Sequence, residues 1–180
     1  TVDVIERQEI ESRQADLVLD LLRTLPGLAV TQAGSPGKVA TLFTRGTSSS
    51  QPLGLLDGVV LNDAVLGGFD WSAVATDGVE RIEVVRGPFS ALWGSNAVGG
   101  VVQLVTRAGE KRSASLRLEG GSDEYLRAGL TAAAPVGPVH LDLSGHLRRG
   151  DGELDNDLFD SEEGQLRVRF VPSDRWSIGL

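Results

Sequence analysis

From Ser113 onward the sequence keeps a period of two. In "ASLRLEG", Leu116 and Leu118 oppose Ser115, Arg117 and Glu119, and in "YLRAGLTAAAP", Leu126, Ala128, Leu130 and Ala132 share one side. "VHLDLSGHLRR" sets Val139, Leu141, Leu143, Gly145 and Leu147 against His140, Asp142, Ser144, His146 and Arg148. "QLRVRFV" sets Leu166, Val168 and Phe170 against Gln165, Arg167 and Arg169, and "WSIGL" begins a fifth segment. Segments of about ten residues, apolar on one side and polar on the other, are the pattern of a membrane barrel with a wet lumen. A water-soluble sandwich alternates in the same way. Charge favours the barrel, because His, Arg and Asp lie deep within each polar face. The short "APVGP" and "VPSDRW" read as turns at one rim, and the long acidic "GDGELDNDLFDSEEG" as a loop at the other. Four strands and a stub do not close, and open edges in lipid leave backbone groups unsatisfied. The expectation is an incomplete transmembrane β-barrel over 113–180, from a chain several times longer.

Residues 1–107 read differently, as a compact α+β domain. "TVDVI" is a short strand, "ERQEIESR" a helical turn or two, and "ADLVLDLLRTLPG" a helix with Leu17, Val18, Leu21, Leu22 and Leu25 at helical spacing, stopped by Pro26-Gly27. "LAVTQA" and "VATLFTRG" are strands, "LGLLDGVVLND" is a hairpin about Asp-Gly, and "VERIEVVRG" is another strand. A net charge of −8 argues against a nucleic-acid partner. The chain has no Cys, so thiolate zinc sites and thiol nucleophiles are excluded. No apolar run approaches the roughly 20 residues of a spanning helix.

The Gly-rich stretch "VVRGPFSALWGSNAVGGVVQLVT" invites a phosphate-cradle reading. A dinucleotide fold needs G-x-G-x-x-G between strand and helix, and a P-loop needs G-x-x-x-x-G-K-[ST]. Gly87, Gly94, Gly99 and Gly100 fit neither spacing, and a strand rather than a helix follows. Tight turns are the plainer explanation.

Three stretches together, "LLRTLPGLAV", "FTRGTSSSQPLGLLDGVVLND" and "VERIEVVRGPFSALWGSNAVGGVVQLVTR", resemble the plug domain of TonB-dependent outer-membrane receptors. Trp93 stands where Tyr is usual, Gln103 where Asn is usual, and "FTRG" replaces a commoner apolar pair before Arg-Gly. The resemblance runs in order from Thr1 to about Arg107 and is nearest to the vitamin B12 and small-siderophore branch. It implies an α+β plug (1–107) followed by antiparallel strands of a truncated barrel, in the outer membrane of a Gram-negative bacterium. It implies no enzyme, but ligand-gated uptake of a scarce metal chelate, cobalamin or a ferric siderophore. The partners implied are the inner-membrane energy transducer TonB, the chelate and outer-membrane lipid.

By the same resemblance the upward loops are Gly34–Lys38, Thr47–Gln51 and Asn62–Phe69. The candidate ligand-binding residues are Ser35, Lys38, Ser48, Ser49, Ser50, Gln51, Asn62, Leu66, Phe69 and Trp71. Arg45 and Arg86 are candidates for a lock that pairs with carboxylates of the barrel. The acidic cluster Asp151, Asp155, Asp157 and Asp160 presents the hard oxygens that calcium prefers. Cobalamin receptors of the family use calcium in comparable loops, though a solvated acidic loop explains the cluster as well. No other cofactor is implied. Two alternatives stand beside uptake: a water-soluble plug-like binding module, and a phosphate-binding enzyme domain, for which no catalytic motif is present.

Overall fold

The computed structural model describes residues 2–34, 37–94, 97–107, 109, 111–151, 158–173 and 176–179. The chain divides into two compact units, Thr1–Thr106 and Arg107–Leu180.

The first unit runs β1 (Val2–Glu6), α1 (Arg7–Ser12), α2 (Val18–Leu22), β2 (Leu28–Gln32), β3 (Ala40–Thr44), β4 (Pro52–Leu56), β5 (Val59–Val60), β6 (Val79–Arg86), α3 (Ser90–Trp93) and β7 (Gly100–Thr106). Five strands form a mixed sheet in the order β1-β6-β7-β4-β5, and β2 and β3 form a separate hairpin. β4 and β7 are parallel, whereas β6 is antiparallel to both β1 and β7. The near-continuous apolar run of β7 is explained by burial on both faces. Val102 and Leu104 join Ile82 and Val84 beneath Ile10 of α1 and Val18, Leu19, Leu21 and Leu22 of α2. On the opposite face Val101 joins Leu53, Leu55 and Ala97, with Val85 and Phe89 packed alongside.

The expected helix over Ala15–Leu25 is shorter than its leucine spacing predicts. Leu17 forms a β-bridge with Ala75, and the Val18 N–H donates to the Val74 carbonyl at 2.9 Å. These non-local bonds hold the segment extended up to Leu17, so helical geometry begins only at Val18. The Asp-Gly hairpin forms where the sequence predicts it, with Asp57 at φ 49° and Gly58 at φ 86°. Asp57 also accepts bonds from the Thr106 N–H (3.0 Å) and hydroxyl (2.8 Å), tying the hairpin tip to the end of β7.

The second unit is a meander of β8 (Ser113–Gly120), β9 (Leu126–Val136), β10 (Val139–Asp151), β11 (Leu158–Ser173) and β12 (Trp176–Gly179). Its exposure is inside out. On one face Leu116, Leu118 and Leu166 are each 67% exposed, whereas on the other Arg127 is 1%, Arg148 6% and His146 9% exposed. Water-soluble proteins avoid large exposed apolar patches, so this face is built for a partner or a lipid. On the polar face Arg127 lies directly opposite Arg148, an unfavourable like-charge pair. Each cation has its own neighbour. Arg127 donates to Glu119 at 3.0 Å, and Arg148 lies over the Phe159 ring at 5.0 Å.

The long acidic loop expected over Gly150–Gly164 is corrected. β11 begins at Leu158, and Asp160, Glu162 and Glu163 pair in register with Arg149, Leu147 and His146. Ladder hydrogen bonds continue once a register is set, so they recruit polar residues past the end of the apolar pattern. Among the described residues no helix is long and apolar enough to cross a membrane, which leaves strand crossings untouched.

Candidate functional site

The strand order brings three connections to one end of the first sheet. Pro52 and Arg86 both pair with Gly100, so the segments before β4, after β6 and before β7 begin there. The Gly99 N–H donates to the Gln51 carbonyl at 3.1 Å, joining two of them. β5 runs back toward the same end and leads into residues 62–68.

The serine loop is pre-organised by its own hydrogen bonds. The Thr47 hydroxyl donates to the Thr44 carbonyl (2.7 Å), Ser48 and Ser50 share a hydroxyl contact (2.8 Å), and the Gln51 side-chain oxygen accepts the Ser48 N–H (2.9 Å). The neighbouring loop is held by two residues. Asn62 is buried, accepting from the Gly54 N–H at 2.7 Å and donating to the carbonyls of Pro52 (3.0 Å) and Gly67 (2.7 Å). Asp63 accepts the N–H groups of Val65 (2.8 Å) and Leu66 (2.7 Å). These bonds hold its carboxyl below the usual carboxylate range. The turn leaves Val65 91% and Leu66 80% exposed, a fixed apolar knob. A Cβ on Gly67 would lie 3.3 Å from the Ser50 Cβ, so the two loops abut.

Ser48, Ser49, Ser50, Gln51 and Leu66 therefore share one surface. Lys38 does not join them: it lies beyond the Gln32–Ala40 end of the β2–β3 hairpin, whereas Arg45–Gln51 leave the Leu28–Thr44 end. Ser35 lies outside the described residues. Trp71 is 2% exposed and belongs to the core, stacked edge-on with half-buried Phe69 at 4.9 Å between ring centroids. Trp71 and Asn62 are thus frame rather than open surface. Asp63 and Val65 were not singled out from the sequence, although an Asn-Asp before an apolar pair and Gly-Gly after it is a turn signal.

Asp70 fastens the far side of this loop. Its carboxylate accepts the N–H groups of Ala40 and Ser72, each at 3.0 Å. Burial pushes this carboxyl up, but those N–H groups and the Ser72 hydroxyl outweigh it and leave it below its ordinary value of 3.8. A carboxyl with a depressed folded pKa stabilises fully above its unfolded value, and that stability is lost as pH falls through the folded value. Urea midpoints should therefore fall more steeply below about pH 4 in the parent than in Asp70→Asn. Parallel curves for the two proteins would remove Asp70 from this role.

The lock residues part company. Arg86 is 8% exposed, forms an ion pair with Asp3 of β1, and donates to the Pro26 carbonyl. A buried guanidinium needs a near counter-charge, and within the first unit β1 supplies one. Arg45 is exposed, sits at φ 48°, and has no ion-pair partner among the described residues. Asp151 and Asp160 stand near the paired ends of β10 and β11, whereas Asp155 and Asp157 lie outside the described residues. Among the described residues no three metal-ligating side chains gather.

A small mixed sheet with its loops at one end, followed in the chain by an antiparallel meander with one face of exposed leucines and one of buried arginines, has the elements of a plug followed by barrel strands. Residues 1–101 match the family model described as the TonB-dependent receptor plug domain, and the chain belongs to that family. It is 40% identical over 164 residues to a protein named vitamin B12 transporter from Vibrio vulnificus, covering 89% of this chain and 26% of that one. A protein of the same name from Photobacterium profundum is 32% identical, with 99% of this chain and 31% of the relative covered. The chain thus spans about a fifth to a third of the curated relatives it matches. Among solved structures, the ferric yersiniabactin uptake receptor of Yersinia pestis superposes with a TM-score of 0.76 at 24% identity, over 99% of this chain and 30% of that one. The ferripyoverdine receptor of Pseudomonas aeruginosa does so with a TM-score of 0.80 at 19% identity, over 97% and 23%.

Proposed function

We propose that this chain is the plug and the first barrel strands of a Gram-negative outer-membrane receptor that takes up a corrinoid, energised through TonB. The observation that carries the reading is the 40% identity to a vitamin B12 transporter across both units. The site supports it. Hydroxyls and an amide on Ser48–Gln51 offer donors and acceptors without fixed charge, and the Val65–Leu66 knob offers apolar contact. A neutral, amide-rich corrinoid matches that mixture better than a densely charged chelate does. The outward leucines of the meander support a lipid setting. A ferric siderophore is the second reading, favoured by the solved structures with the same fold. A calcium ion at the outer end of β10 and β11 is part of the corrinoid reading, with Asp151 and Asp160 as described donors.

The test is titration of detergent-solubilised receptor carrying this chain with cyanocobalamin and with ferric siderophores, each with calcium and with chelator. Cyanocobalamin is expected to bind, less tightly in chelator. Leu66→Asp is expected to weaken it at least about tenfold, or about 1.4 kcal/mol. Siderophore binding without cobalamin binding moves the proposal to the second reading. Failure of both ligands overturns the class of cargo.

A further inference from the structure

We infer that Arg148, with the Tyr125–Phe159 pair beside it, is a cargo contact on the strand wall that recognises a phosphodiester joined to an aromatic base. The inference rests on the corrinoid reading and deepens it: the wall reads the nucleotide tail of the molecule rather than the corrin ring.

Arg148 is 6% exposed, and its Nε is buried without a hydrogen-bond partner. Its neighbours across the ladders are Arg127 of β9 and Ser161 of β11, so neither strand brings it a carboxylate. Glu119 is already shared by Arg127 (3.0 Å) and Arg117 (3.7 Å), and Glu163 faces His146 at 3.8 Å. The rim carboxylates of Asp123, Glu124 and Asp151 belong to exposed residues, where water and salt screen them. Among the described residues Arg148 therefore has no counter-ion. Its one neighbour of note is the Phe159 ring, 5.0 Å away. A ring offsets only part of the cost of burying a charge, so the site is electrostatically incomplete. With both ladder neighbours accounted for, the missing anion has to arrive over the polar face of the sheet.

The rings are built into that face. Phe159 pairs with Gly150, and a Cβ on Gly150 would meet the Phe159 ring at 2.9 Å. The same Cβ would lie 3.4 Å from the Tyr125 Cα, so bare glycine backbone is the floor on which the pair rests. The two rings are 6.4 Å apart between centroids and tilted by 46°. Both residues are half-buried, on the face where the alternation otherwise sets polar side chains. Aromatic faces on a wet wall stack well on a flat base. A guanidinium in the drier region behind them is felt over several ångströms, because little water screens it. Cobalamin is neutral overall, but its tail carries a phosphodiester beside an aromatic base. That pairing of charge and ring matches Arg148 and Phe159, and the corrin ring offers no such pairing.

The test compares cyanocobalamin with dicyanocobinamide, which has the same corrin ring but neither phosphodiester nor base, on detergent-solubilised receptor carrying this chain. Arg148→Gln is expected to weaken cyanocobalamin at least about tenfold and cobinamide less than about twofold. Arg148→Lys keeps the charge and is expected to recover most of the loss. Phe159→Leu leaves every charge in place and is expected to weaken cyanocobalamin selectively as well. Unchanged cobinamide binding doubles as the check on folding. Cyanocobalamin binding unmoved by Arg148→Gln overturns the anion contact, and unmoved by Phe159→Leu it overturns the stacking contact. Equal losses for the two corrinoids overturn both, because the residues then only shape the wall. Failure of either corrinoid to bind the unaltered receptor overturns the corrinoid reading and this inference with it.

Discussion

Alanine in place of Gly100 is expected to unfold the first unit or bring it close to unfolding. Gly100 sits at φ 143°, and a Cβ there would lie 2.5 Å from the Val85 carbonyl oxygen. That oxygen belongs to the neighbouring strand β6, whose register with β7 is set at Val85–Val101 and Arg86–Gly100. Relief requires moving backbone, not rotating a side chain. Backbone strain of roughly 1–3 kcal/mol and overpacking of roughly 1–3 kcal/mol add to a loss of about 2–6 kcal/mol. Against a typical domain stability of about 5–15 kcal/mol, that is a large fraction. Gly99→Ala should be costly for a different reason, since its Cβ would meet the Thr44 hydroxyl at 2.3 Å and the Thr47 hydroxyl at 2.7 Å. Thr44→Ala should partly rescue Gly99→Ala and leave Gly100→Ala unrescued. Urea denaturation of the two single variants and the two double variants beside the parent and Thr44→Ala checks this, and a Gly100→Ala midpoint near the parent's would refute it. The glycine pair is thus explained by strand packing, without a phosphate.

Arg86→Ala and Arg45→Ala are expected to differ sharply, although the sequence presents them as twins before glycine. Removing Arg86 strands the Asp3 carboxylate and the Pro26 carbonyl. Loss of one member of a buried pair costs about 3–5 kcal/mol, and the partial exposure of Asp3 places this case toward the lower end. Arg45 is exposed and unpaired among the described residues, so its removal should change chain stability by less than about 0.5 kcal/mol. Thermal or urea unfolding of both variants measures the difference. Similar losses would mean that Arg45 has a structural partner of its own. A role for Arg45 in holding the plug would then show only in the complete receptor, as more frequent channel opening in a planar bilayer.

What the sequence determined by itself was local in origin. Side chains alternate across a strand whatever surrounds it, so the parity of Leu141, Leu143 and Leu147 against His146 and Arg148 was readable residue by residue. Asp57-Gly58 was readable too, because a two-residue hairpin of this type needs positive φ at both positions. Tertiary structure decided whatever depended on distant segments meeting. Arg86 took Asp3 because β1 pairs with β6 across most of the unit's length. Trp71 entered the core, whereas the neighbouring Val65 and Leu66 were held out in solvent, because Asn62, Asp63 and Asp70 fix the path of that loop. Asp160 became a strand residue because the β10–β11 ladder ran on past its apolar stretch. Composition gives no hint of such choices, since a hydrogen-bonded ladder or a buried ion pair gains its energy from the partner that the fold delivers.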